Sequence, residues 1–279
     1  MVRTFMPTKI YKSTGYCIFC MQSFPMDQMT DEHVIPHFLS GEGEIYFKKS
    51  SCSKCNALCN ERFEQSASNT DFLVPRLLLD LKRRNRKVAK KLPSCSLYPE
   101  GDMRYDDYNV TLPREEYPDV FSLMVFEPPG KVSKVDRGCD LSSLRLCVIH
   151  LDRGKKLPSP SVAMRHAHDH TAFSLTLAKI AYCYAVAELG IHGFDGHEIR
   201  EILSGARKDV YNFVGGVATP EILTKRHFHK LYFRERGDWL TVIVHLFASC
   251  GGPPYEVVVG KRNSPEKNLL PRFGFEVPH

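Results

Sequence analysis

Apolar residues in the second half of the chain follow two spacings. Between residues 170 and 190 they recur at helical intervals: Phe173, Leu177, Ile180, Tyr184 and Ala187 share one face, and Gly190 stands where such a helix would stop. Asp169 or Thr171 can cap its start. A shorter helix is expected over 196–203. The runs 120–126, 144–151, 231–234, 239–248 and 255–260 read instead as strands. The last three are separated only by Arg236-Gly237-Asp238 and Gly251-Gly252-Pro253-Pro254, both turn-forming. Such short connections predict an antiparallel meander packed on the long helix, an α+β arrangement. Gly215-Gly216, after Phe213-Val214, reads as a turn and lacks the pattern of a phosphate-binding loop.

The first third is patterned differently. Residues 73–91 open with an apolar stripe (Leu77, Leu78, Leu81) and end basic, which predicts a connecting helix broken before Pro93. Residues 93–118 are rich in Pro, Tyr and Asp and read as irregular. The expected organisation is a module at 1–91 with a basic helical extension, a linker at 92–118, and an α+β domain of unassigned role at 119–279. No internal repeat or low-complexity tract is evident.

Composition is that of an ordinary globular protein, with 279 residues, 43% hydrophobic and 25% charged. The first fifteen residues hold no apolar secretory core. The stretch 239–248 is too short to cross a membrane as a helix. The expectation is a soluble cytoplasmic protein with no membrane partner. Charge changes this picture more than composition does. Residues 1–91 hold 15 Lys/Arg against 9 Asp/Glu, whereas the remainder holds 23 of each. All the excess of +6 therefore lies in the first module, much of it in the run 82–91. A basic module beside a neutral one implies a polyanion partner, most simply nucleic acid. Lys82, Arg83, Arg84, Arg86 and Lys87 are the expected backbone contacts.

Ten cysteines add candidate chemistry. Cys17-x2-Cys20 and Cys52-x2-Cys55 are two correctly spaced pairs, which suggests one tetrahedral structural zinc in a reducing compartment. The 31-residue gap between them would accommodate a two-strand hairpin with an added loop, clamped by the metal. Cys59, one turn after Cys55, is expected to pack in the core. Inside the gap lies Asp31-Glu32-His33-Val34-Ile35-Pro36. Adjacent residues on a strand face opposite ways unless a bulge or turn brings both to one site. Beyond Cys55, Asn56 and Asn60 are four apart and share a helix face. A carboxylate, a neutral imidazole and amide oxygens near one hard cation are the parts that phosphodiester hydrolysis needs.

The order C-x-x-C, D-E-H-V-I-P, S-C-x-x-C-N, then Phe63-Glu64, resembles the zinc-containing branch of the HNH endonucleases, over residues 16–65. The resemblance implies a ββα-metal fold and hydrolysis of DNA, with RNA as an alternative substrate. It implies His33 as general base and Glu32 as a ligand of a catalytic Mg²⁺ or Mn²⁺. Asn56, with Asn60 as a second candidate, would be a further ligand, and the products would carry 5′-phosphate and 3′-hydroxyl ends. The family's middle Asn has no counterpart here, since no Asn occurs from Val34 to Ser51.

Other signals are weaker. His37 could add a metal or phosphate contact. His166-Ala167-His168-Asp169-His170 superficially resembles metallo-hydrolase signatures, but is one residue too short for the H-x-H-x-D-H pattern. His245, among apolar residues, reads as a hydrogen-bonded core histidine. Two other readings follow: a non-catalytic zinc module that binds nucleic acid, and hydrolase chemistry at the 166–170 cluster. The second domain could take a protein or ligand partner.

Overall fold

The computed structural model describes residues 9–40, 45–81, 91–98, 109–139, 141, 143–151, 154–155, 161–164, 166–217, 227–263 and 275–278. Strand β1 (Lys9–Tyr11) runs parallel to β3 (Ile45–Cys52), which pairs antiparallel with β2 (Met29–His33). The β2–β3 hairpin is the insertion expected between the cysteine pairs. Its register slips between Thr30 and Glu32. Asp31, inside the slip, accepts the Lys49 N–H at 3.0 Å and pairs with the Lys48 ammonium at 2.6 Å, which clamps the bulge.

At Cys52 the chain passes straight from β3 into helix α1 (Ser53–Cys59). A π-helical turn over Asn60–Glu64 follows, then α2 (Gln65–Asn69). Helix α3 (Leu73–Leu78) is shorter than the expected connecting helix, and Asp80 beyond it takes a left-handed φ of +53°. The expected phosphate contacts Lys82, Arg83, Arg84, Arg86 and Lys87 lie outside the described residues.

Next come β4 (Cys95–Tyr98), β5 (Asn109–Val110), β6 (Val120–Phe126), the one-turn α4 (Gly130–Ser133), β7 (Leu144–His150) and β8 (Ser161–Met164). β6 and β7 form an antiparallel pair. β4 is the middle strand of a sheet ordered β5-β4-β8. The region read from composition as irregular thus contributes two strands. β8, the second partner of β4, is distant in sequence, and local composition carries no trace of it.

The long helix α5 (His170–Leu189) is capped by Asp169, whose carboxylate accepts the Ala172 N–H at 2.9 Å, and it ends at Gly190 with φ +75°. The sequence suggests one apolar face, but every residue from Ala172 to Val186 is buried. By length and composition α5 could cross a membrane, yet 83% of that window is buried inside the protein, as for a core helix. After it come β9 (Phe194–Asp195), α6 (His197–Ser204), β10 (Val214–Gly216), β11 (His227–Arg236), β12 (Trp239–His245), β13 (Pro254–Arg262) and β14 (Phe275–Pro278). They build an antiparallel sheet ordered β10-β13-β12-β11-β14, with β9 on the end of β13, and the expected meander is β11-β12-β13. Gly215 and Gly216 lie in edge strand β10 instead of a turn. A Cβ on either would come within 2.3 Å of a carbonyl of Glu127 or Phe126, so only glycine permits that approach.

One apolar core runs from Ile18 and Phe63 through α5 to Val259. Phe72 stacks on Phe173 at 5.1 Å and approaches Phe247 at 6.4 Å. Polar contacts follow the same seam. The Tyr182 hydroxyl donates to the Ile18 carbonyl, and Arg62 donates to the carbonyls of Ile202 (2.9 Å) and Leu203 (2.6 Å) at the end of α6.

Candidate active site and zinc centre

The four cysteine sulfurs of Cys17, Cys20, Cys52 and Cys55 lie within 4.8 Å of one another. Tetrahedral zinc with Zn–S bonds near 2.3 Å needs sulfurs about 3.8 Å apart, so the set fits that ion. Two tight turns aim them. Cys17 N–H donates to Gln22 O and Met21 N–H to Cys17 O, with Met21 in the left-handed region, while the Cys52 sulfur accepts the Cys55 N–H at 3.4 Å. So close together, the thiols compete for protons. A hydrogen bond from Cys55 pushes the Cys17 thiol down to about 4, and the same contact, with burial, pushes Cys55 up. A zinc ion would replace those protons with one shared charge. Cys59 is outside this group. It is buried in the core, and burial pushes its thiol up to about 12.

Beside the zinc centre a cleft of about 500 Å³ opens between β2, the following turn, and the α1–α2 helix. Glu32, His33, His37, Asn56 and Asn60 all line it. The bulge lets Glu32 turn inward, 2% exposed, while His33 ends the strand at the cleft wall. The His33 ring packs against its cross-strand neighbour Tyr46, with centroids 4.6 Å apart. His37 meets His33 edge-on at 5.5 Å. The helix supplies Asn56, Asn60 and Glu64 at four-residue intervals. The π turn at 60–64 carries the last two, and such turns recur at functional sites.

The floor of the cleft is ionic. Lys179, at the middle of α5 and 2% exposed, places Nζ 2.5 Å from Glu32 Oε1 and 2.7 Å from Glu64 Oε1. Burial alone would depress its pKa, but the two carboxylates outweigh burial and raise it well above the ordinary lysine value. The other Glu32 oxygen, Oε2, accepts from Asn56 Nδ2 at 3.3 Å. Arg76 also lines the cleft; it donates to the Ser68 carbonyl at 2.8 Å and lies over the Phe38 ring.

Sequence reasoning assigned no role to Lys179, Glu64 or Arg76. One signal was available, because Lys179 is the sole charged residue between Thr171 and Ala187. A lysine amid so apolar a helix implies a buried anionic partner, although the partner's identity needs the fold.

The histidine cluster disperses. His168 Nδ1 pairs with the buried Asp71 at 2.7 Å, Asp169 caps α5, and His170 Nδ1 meets the Tyr211 hydroxyl at 2.6 Å. Among the described residues, the four cysteines form the one group of His, Cys, Asp and Glu side chains with metal-binding geometry. His245 is the expected core histidine, buried and donating from Nε2 to the Gly252 carbonyl at 2.6 Å.

The cleft suits a hard divalent cation in donor chemistry, since the carboxylates of Asp31, Glu32 and Glu64 and the amides of Asn56, Asn60 and Gln65 line it with oxygen donors. Glu32 and Asn56 are in contact through the Asn56 amide nitrogen, which donates to Glu32 Oε2.

A family model described as HNH endonuclease matches residues 17–75. Neither the curated proteins nor the solved structures include a match to this chain. Residues 17–75 thus match an HNH endonuclease module, nuclease-type in broad function, and four cysteines of that module are grouped so that they could hold zinc. The match covers 59 of 279 residues and does not extend to the rest of the chain.

Proposed function

We propose that the protein is a metal-dependent endonuclease that hydrolyses DNA phosphodiester bonds at the cleft beside the zinc centre. The observation that carries this reading is the convergence of Glu32, His33, Asn56 and Asn60 on one cleft within the matched module. His33, at the wall, takes a proton from the attacking water as a neutral imidazole, with its ring oriented by packing on Tyr46 in place of the family's absent asparagine. Glu32, with Asn56 or Asn60, would hold Mg²⁺ or Mn²⁺, which supplies charge stabilisation at the scissile phosphate and leaving oxygen. Arg76 at the cleft and the basic run 82–91 provide cationic contacts for the DNA backbone.

One observation favours the non-cleaving alternative, a zinc module that only binds nucleic acid. Both Glu32 oxygens are already engaged, by Lys179 and Asn56. A plasmid-nicking assay in Mg²⁺ and in Mn²⁺ separates the readings. Wild type should nick and His33→Ala, at equal zinc content, should not. DNA binding without nicking by either protein would establish the binding module instead.

A further inference from the structure

We infer that Lys179 is a positioning residue that confines the catalytic cation to the Asn56 side of Glu32, by filling the seat between Glu32 and Glu64 with its own ammonium; this rests on the nuclease reading above. Two carboxylate oxygens face one nitrogen at 2.5 and 2.7 Å in a buried setting. Mg²⁺-sized ions take oxygens at about 2.1 Å, so a small contraction would turn this seat into a divalent site. Such a site would lie at the floor of the cleft, against α5, where Glu32, Glu64 and Lys179 meet. An ion held there would be drawn away from His33 and from a phosphate entering the cleft. The ammonium fills that seat with a fixed charge, so an ion reaching Glu32 must take Oε2 in place of the Asn56 amide N–H that it now accepts. It also compensates two carboxylates that would otherwise repel each other in a low-dielectric setting. Lys179 thus links the helix outside the matched module to the chemistry inside it.

The test is Mn²⁺ binding by calorimetry on the zinc-loaded full chain, alongside plasmid nicking. Lys179→Met leaves two facing carboxylates. It should bind Mn²⁺ at least about tenfold more tightly than wild type, since affinity rises with the number of ligand charges, and should nick DNA at least a hundredfold more slowly. Adding Glu64→Gln to that variant should abolish the gain in affinity. Lys179→Gln, which keeps polar contacts to both carboxylates, should show the same Glu64-dependent gain and is read if Lys179→Met does not fold. A folded Lys179→Gln without that gain overturns the proposal and leaves Lys179 a structural ion pair. A wild type that never nicks DNA defeats the nuclease reading alone, because the binding comparison still decides what Lys179 excludes.

Discussion

His229 and Leu39 are joined by a buried hydrogen bond that ties the central sheet to the loop after the histidine motif. Phe247 N–H can only donate, so His229 Nδ1 accepts it, at 3.1 Å, and Nε2 carries the proton given to the Leu39 carbonyl at 2.9 Å. Replacing the ring by Leu strands both backbone groups in the core. His229→Leu should cost about 2–6 kcal/mol in urea unfolding, at about 1–3 kcal/mol for each of the two unsatisfied buried groups. A loss below about 0.5 kcal/mol would mean that water or a rearranged loop replaces both bonds.

Much of the candidate site was legible because its chemistry is local in sequence. Paired cysteines, an acidic residue before a histidine, and asparagines one helical turn apart each declare themselves within a few residues. The meander was legible for the same reason, its turns being short and rich in glycine and proline. What remained hidden depends on contacts distant in sequence. The partners of Lys179 lie in another module, and β4 pairs with a strand far along the chain. The all-round burial of α5 likewise reflects its place between the zinc module and the large sheet, which periodicity cannot report.

The zinc centre should hold the first knuckle and the start of α1 together. Around it Cys17, Met29 and Cys52 form a small buried cluster apart from the main core, with Phe19 and Phe24 packed on it. So small a cluster cannot replace the metal, whose binding in isolated zinc modules is worth on the order of 10 kcal/mol. One zinc per chain is expected by elemental analysis. Cys52→Ala or a strong chelator should release hydrogen-exchange protection at 17–30 and 52–59 while β11–β13 stay protected. Equal protection with and without zinc would contradict a structural role for the metal.

Stability should fall as the pH drops from about 7.5 to 5. Burial lowers the pKa of His245, though its bond to Gly252 opposes this, and burial together with the neighbouring His168 lowers that of His166. The unfolded chain therefore takes up these protons first. The stabilisation is complete above the unfolded histidine value near ~6.5 and is lost as pH falls through the lower folded values, by at most ~1.4 kcal/mol per pH unit for each proton. Thermal unfolding should show the decline, and His245→Gln, which can still donate to Gly252, should flatten it. An identical decline in the variant would place the acid sensitivity elsewhere.

The matched module should not fold by itself. Its buried aromatics are completed from outside: Phe72 lies against Phe173 and Phe247, and Ile18 and Phe63 enter the same core. Its charges are completed from outside as well. Without α5, Glu32 and Glu64 lose the Lys179 ammonium, Asp71 loses His168, and Arg62 loses the carbonyls that end α6. A polypeptide of residues 1–91 with one equivalent of zinc should keep its metal, because the cysteine ligands are all local. It should otherwise show poorly dispersed amide resonances, bind a hydrophobic dye and fail to nick DNA. Adding residues 92–279 as a separate chain should restore dispersion if the seam forms between chains. A sharp, dispersed spectrum from residues 1–91 alone would show that the core across the seam is dispensable, and that the zinc and the β2–β3 hairpin suffice to specify the module.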